Sequence, residues 1–344
     1  MNRLRVRDRT GAATVRGVFS RVSTRSGRGL LPLGAVLAVL LVGCGPDLGK
    51  VNFQRTTVPA EAGGGQGQVP TGPIDDPAVT VAALRTVDPC GLLTAELLGK
   101  LGTVGQANAS GWDQCSTSIQ DTGGKTVRLS LRFGDALSDT RSANGNVEGL
   151  PQVENKLDDT SCFVSAQTSK EDGLAITVQV DYAGGDPCAP GRTALRNVVK
   201  AVHEDPPRFA EAEGSLVGVD PCAGVEDATI AEVVPGEVQK RNVNLHTCGW
   251  SASGPEVMLE FRLAYPPDDG TEVDLGGGVT GYQDTVGAGA QCAVTWVHRS
   301  VENDRAELVE LEYRNYAAED VEAENSCGKA VETAKKVVGG LPGA

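Results

Sequence analysis

Apolar and polar residues alternate most clearly at Val127-Arg128-Leu129-Ser130-Leu131-Arg132-Phe133 and at Val257-Met258-Leu259-Glu260-Phe261-Arg262-Leu263. A period of two predicts strands with one buried and one wet face. The two stretches lie 130 residues apart. Cys162, Val164 and Ala166 match Cys292, Val294 and Trp296 at the same spacing, and Ile176, Val178 and Val180 match Val309, Leu311 and Tyr313 at 133. Helical spacing appears instead at Leu92, Leu93, Leu97, Leu98 and Leu101, and more weakly at Val225, Ile230, Val233 and Val234. It returns late in each half. Ala194, Leu195, Val198, Val199 and Val202 form one apolar stripe, and Ala330, Val331, Ala334, Val337, Val338 and Leu341 form the other. Pro206-Pro207 stops the first of these helices, and Gly339-Gly340 with Pro342 stops the second.

Each half therefore reads helix, two strands, polar insertion, two strands, helix. Val87-Asp88-Pro89-Cys90 opens the first pass and Val219-Asp220-Pro221-Cys222 the second. Asp suits a helix N-cap and Pro the first helical position. The expected fold is α+β: two tandem modules from an internal duplication, each an antiparallel sheet with helices packed on one face and two disulfides. The first module covers 80–205, a linker 206–215, and the second module 216–344. The insertions, about 134–160 and 264–290, are expected as long loops, which are either functional or mobile.

Nine cysteines divide into Cys44, then Cys90, Cys115, Cys162 and Cys188, then Cys222, Cys248, Cys292 and Cys327. Even sets without C-x-x-C pairs or nearby His favour structural disulfides over a metal site or a redox motif. A hairpin after Cys162 returns the chain to the same end, where Cys188 follows. That predicts Cys162–Cys188 and leaves Cys90–Cys115, with Cys222–Cys248 and Cys292–Cys327 in the second half. The alternative is a nested pairing, Cys90–Cys188 and Cys115–Cys162.

The N-terminus has a different character. Residues 1–43 hold eight Arg, no Lys and one Asp, and end in an apolar run from Leu30. The run is too short to cross a bilayer, which takes roughly 20 residues, and reads as an export signal. Leu41-Val42-Gly43-Cys44 resembles the bacterial lipobox, which implies that Cys44 is lipidated and becomes the first residue of a protein anchored to the outer face of the cytoplasmic membrane. Two or more acyl chains hold firmly, at about 0.8 kcal/mol per buried methylene. Residues 44–79, rich in Gly and Pro, are expected to be a flexible tether. The whole chain has 31 basic and 45 acidic residues; without 1–43 it keeps 23 and 44, a net charge of −21. That balance opposes nucleic-acid binding, which is driven by Lys and Arg against phosphate.

The combination of lipobox, Gly/Pro-rich tether and Asp-Pro-Cys followed by three further cysteines resembles a family of actinobacterial secreted lipoproteins carrying a domain of unknown function. The likeness rests on Val87-Asp88-Pro89-Cys90-Gly91-Leu92-Leu93, Cys248-Gly249-Trp250 and Leu341-Pro342. The first half departs from it, because Trp112 precedes Cys115 instead of following it. The resemblance implies an envelope location and an α+β fold, and carries no catalytic residue.

No catalytic constellation stands out. His203, His246 and His298 fall in different elements and are expected at the surface or half-buried. Ser326-Cys327-Gly328-Lys329 spells S-x-x-K, but the companion motifs of penicillin-binding enzymes are absent. Asp268, Asp269, Glu272 and Asp274, like Asp135, Asp139, Asp158 and Asp159, read as solvated acidic loops without EF-hand spacing. Trp296 is expected in the core. Trp112, on a polar turn, is expected to be exposed as a possible binding surface. No metal or cofactor is expected. These readings favour a lipid-anchored extracytoplasmic binding or interaction protein, not an enzyme, with the membrane as one partner and a protein, glycan or lipid as another. The alternatives are a carrier of a small molecule or lipid in an apolar cavity, and an envelope hydrolase or transferase with its site in the insertions.

Overall fold

The computed structural model describes residues 67–137, 142–286 and 290–343, which lie in one compact unit of the chain. Cys44 and the expected export signal fall outside them. The architecture is α+β with two antiparallel sheets and four disulfides. The first sheet contains β1 (Thr103–Val104), β2 (Asn108–Ala109), β3 (Gln114–Gln120), β4 (Thr126–Ala136), β5 (Gly145–Val147), β6 (Leu150–Lys156), β7 (Ser161–Ser169) and β8 (Leu174–Tyr182). Its order is β1-β3-β4-β8-β7-β6-β5, with β2 also paired to β3. The second contains β9 (Gln239–Asn242), β10 (Thr247–Ser251), β11 (Glu256–Ala264), β12 (Thr271–Asp274), β13 (Thr280–Val286), β14 (Gln291–Ser300) and β15 (Ala306–Arg314). Read from β9 its order is β9-β10-β11-β15-β14-β13-β12, the same succession.

The alternation decides which face is covered. Val127, Leu129, Leu131 and Phe133 on β4 and Val257, Leu259 and Phe261 on β11 are buried. The long helix α4 (Cys188–Glu204) lies on β7 and β8, burying Ala194, Leu195, Val198, Val199 and Val202. Each Val or Leu so buried contributes about 1.5–3 kcal/mol. In the second half the corresponding helix, Ser326–Val338, lies on β14 and β15 and buries Ala330, Ala334 and Val337. Four shorter helices complete the covering layers or their margins: α1 (Val81–Arg85), α2 (Pro89–Leu92), α3 (Ala95–Leu98) and α5 (Asp227–Val233). A one-turn α6 (Val321–Glu324) precedes the final helix, which is α7. Among the described residues no helix is long and apolar enough to cross a membrane.

The structure differs from the pattern-based expectations in four places. The leucine-rich helix after Cys90 is broken into α2, α3 and a 3-10 turn, Gly99–Leu101. Asp88 caps the first piece by accepting from Cys90 N at 2.8 Å, and Thr94 caps α3 by accepting from Leu97 N. The polar insertions are largely strand: β5–β6 and β12–β13 widen the sheets. The β5–β6 hairpin turns on Glu148 and Gly149, both at positive φ (49° and 92°), as a two-residue hairpin loop of this hand requires.

The tether and the linker end sooner than composition suggests. Val79 is buried, Ile74 and Ala78 pack against the first core, and Phe209 packs against the second. Val87 bridges Arg208, so residues of 206–215 are tied to the body.

The fourth difference is one of register. Cys115 sits opposite Leu131, and Cys248 opposite Leu259. Likewise Leu131 faces Val178, and Leu259 faces Leu311. By hydrogen-bonded position β11 therefore corresponds to β4 at a spacing of 128, not 130. Both spacings leave the same residues facing inward, because alternation repeats every two residues.

The disulfides are Cys90–Cys115, Cys162–Cys188, Cys222–Cys248 and Cys292–Cys327. In each half the first ties the opening turn to a strand beside the sheet's edge. The second ties the strand carrying Cys162 or Cys292 to the start of the long helix.

Candidate functional site

The two halves meet through the turn before β3 and the turn before β10. Trp112 and Leu245 each stand three residues before a cysteine, Cys115 and Cys248. Trp112 packs into the second half's core and Leu245 into the first half's. The next residues pair: His246 Nδ1 lies 2.9 Å from Asp113 Oδ1, and its Nε2 lies 3.1 Å from the Val217 carbonyl oxygen. Both partners are acceptors. Trp112 tilts against the same ring, with centroids 5.0 Å apart.

Further contacts cross the junction. Buried Arg85 donates Nε to the Leu245 carbonyl at 2.8 Å and Nη2 to Asp220 at 3.2 Å; burial lowers its pKa and Asp220 opposes the shift. Asp172 accepts from the backbone and side-chain nitrogens of Asn242.

Two expectations are thereby corrected. Trp112 is 5% exposed, not exposed as expected, because its polar turn is covered by the other half. His246 is 2% exposed, for the same reason. Of the other histidines, His203 pairs with Asp76 at 2.8 Å, and His298 Nε2 donates to the Gly214 carbonyl.

Beside this junction, β4 and β11 line a groove of about 740 Å³. Asp113, Arg132, Asp135, Glu260, Arg262 and Arg305 supply its charge, with Phe133 and Tyr265 among the apolar walls. Tyr265 is 71% exposed. Arg132 Nη2 donates to Gln179 at 3.2 Å, and Arg262 Nη2 to Glu310 at 2.6 Å; Arg305 Nη2 donates to the Leu263 carbonyl. Glu260 sits directly opposite Glu310 on β15. Burial first, and Glu310 second, raise the Glu260 carboxyl to about 7, against the pull of Arg262. A carboxyl at that value can change protonation near neutral pH.

Other sequence candidates do not assemble. Ser326 is buried, Cys327 is in a disulfide, and Lys329 is held by Glu324 and Tyr313. Among the described residues no group of three or more His, Cys, Asp or Glu could hold a metal ion. Trp250 and Trp296 are each 1% exposed, in the second core. The groove itself escaped the sequence reading, since its charges come from strands and a loop far apart in the chain.

No family model matches the chain, and no curated protein matches it. Among solved structures, the di-domain ARO/CYC StfQ from the steffimycin biosynthetic pathway aligns over 74% of this chain and 96% of its own, at 12% identity and a TM-score of 0.18. MucB in complex with MucA(peri) aligns over 67% of this chain and 88% of its own, at 10% identity and a TM-score of 0.16. Likeness at that level carries no argument about this chain.

Proposed function

We propose that the chain is a lipid-anchored extracytoplasmic binding protein of the cell envelope, built from two copies of one module, with its ligand site in the groove between the sheets. The observation that carries this reading is the groove itself: both halves build it, and it lies beside the reciprocal junction of Trp112 and Leu245. Its volume falls within the range of small-molecule sites, about 300–1,000 Å³. Four disulfides suit an oxidising compartment, and the lipobox-like Leu41-Val42-Gly43-Cys44 supplies the anchor. The shared strand order supports the duplication. A carrier would use the same groove, since the space between each sheet and its helices is packed with side chains.

Two measurements on the full chain test this. Cys44→Ser should abolish incorporation of an alkyne-labelled fatty acid and release the protein from the membrane fraction. Native mass spectrometry of the wild-type chain taken from its own membranes should show a bound small molecule. Continued lipid labelling of the Cys44→Ser chain, or a bare mass under gentle conditions, overturns the respective half of the reading.

A second reading is favoured by one observation, the raised carboxyl of Glu260 in a cleft. In an envelope hydrolase Glu260 would serve as general acid. Turnover of ester or glycan substrates that is lost in Glu260→Gln would establish it.

A further inference from the structure

We propose that the groove binds an organic oxyanion, a carboxylate or phosphate ester with an apolar body, and that Arg132, Arg262 and Arg305 hold its charged end. The inference rests on the binding reading above and names the class of ligand. A guanidinium carries five N–H donors in a planar fork. Among the described residues, the Nε of all three arginines is buried without an acceptor. Glu310 accepts from Arg262 Nη2 at 2.6 Å, and the other nearby carboxylates do not close the set. Asp135 stands 3.9 Å from Arg132 Nη1, and Glu260 stands 4.0 Å from Arg262 Nε, both beyond hydrogen-bond reach.

Of the four arginines whose Nε is buried without an acceptor among the described residues, three (Arg132, Arg262 and Arg305) line this one groove, beside the carboxylates Asp113, Asp135 and Glu260. Guanidinium matches carboxylate and phosphate oxygens in pairs. The Arg132 and Arg262 side chains are 34% and 39% exposed, so a ligand can reach their exposed atoms, and the buried Nε only if the guanidinium turns. Phe133, Leu263 and Tyr265 on the same walls suit an apolar body.

Glu260 links this site to protons. It faces Glu310 on β15, Arg262 on its own strand, and Asp113 and His246 on the two junction turns. An anion entering the groove adds negative charge beside this carboxyl and favours its neutral form. Binding therefore takes up a proton at Glu260 and strengthens as the pH falls through neutrality.

The test is equilibrium dialysis of the full chain in detergent, with detergent alone as the blank. The probes are 1-naphthyl phosphate, 1-naphthol and inorganic phosphate. Saturable binding of 1-naphthyl phosphate is expected, with 1-naphthol at least about tenfold weaker. Arg132→Gln and Arg262→Gln should each weaken it about tenfold or more in chains that still unfold cooperatively. Arg305→Gln, which lies outside the strands, provides a third variant if either strand variant misfolds.

Affinity should be higher at pH 6 than at pH 8, and Glu260→Gln should flatten that dependence. Competition by dihexanoyl phosphatidic acid would assign the oxyanion to a lipid headgroup, and failure to compete would assign it to a soluble ester. Both results uphold the proposal. Equal binding of 1-naphthol, or arginine variants that bind normally, overturns the oxyanion assignment and leaves a groove that binds neutral ligands. Binding of none of the probes overturns it as well, while native mass spectrometry still decides the broader reading.

Discussion

Asp113 and His246 are 133 residues apart in the chain and 2.9 Å apart in the fold. Each follows the residue that its half inserts into the other's core, Trp112 or Leu245. The hydrogen bond thus stands at the centre of a reciprocal contact. His246→Ala and Asp113→Ala are each expected to destabilise the chain by about 2–4 kcal/mol, since each leaves a buried polar group unpaired. In a double-mutant cycle by urea unfolding, the two should couple by about 1 kcal/mol or more. Additive losses would show that the pair is incidental to docking.

Gly134 limits how closely the halves approach. Its φ is +69°, and a Cβ there would lie 2.6 Å from Leu245 Cγ and 2.9 Å from Leu245 N. Gly134→Ala combines left-handed backbone strain, roughly 1–2 kcal/mol, with a collision against the other half. We expect a loss of more than about 2 kcal/mol by thermal unfolding. Adding Leu245→Ala should relieve only the side-chain part, because the backbone nitrogen stays where it is.

Glu260 makes stability depend on pH. Its carboxyl is raised from an ordinary 4.5 to about 7 in the folded chain, so between those values the folded state holds the proton more tightly than the unfolded state. Its contribution is most favourable below about pH 4.5 and declines as the pH rises through about 7. The side chain is 37% exposed, so solvent screening reduces the effect to about 1–2 kcal/mol. Glu260→Gln should therefore raise the melting temperature at pH 8 and leave it nearly unchanged at pH 4.5. An equal shift at both values would show that this carboxyl does not titrate differently on folding.

The disulfides Cys90–Cys115 and Cys222–Cys248 span 25 and 26 residues. In the chain-entropy model each contributes roughly 3–3.5 kcal/mol. Cys90→Ala/Cys115→Ala and Cys222→Ala/Cys248→Ala should each lower stability by about that much. The Asp88 and Asp220 caps should persist, since both accept from the amide of the cysteine two residues on without using its sulfur. Hydrogen exchange at the Cys90 or Cys222 position, read in the folded double-Ala chain, checks this directly.

Much of the fold was legible because its signals are local. Alternation at Val127–Phe133 and Val257–Leu263 gives strands whatever surrounds them. The stripes after Cys188 and Cys327 give helices for the same reason, and the hairpin after Cys162 brings its strand end back to Cys188. The Glu148-Gly149 turn offered a local signal for the β5–β6 hairpin, but the polar surroundings hid it.

The sequence by itself determined which residues face inward on each strand, where the long helices begin and end, and that the cysteines fall into two sets of four. It could not determine which residues of β4 and β11 correspond or the burial of Trp112 and His246. Nor could it determine the meeting of Arg132, Glu260, Arg262 and Arg305 around one groove. Alternation has a period of two and is satisfied by any even shift, so only pairing with Cys115 and Cys248 selected 128 over 130. A polar turn carrying a tryptophan looks exposed until a second surface covers it. That surface here is the other half of the same chain, brought there by contacts between residues more than a hundred positions apart.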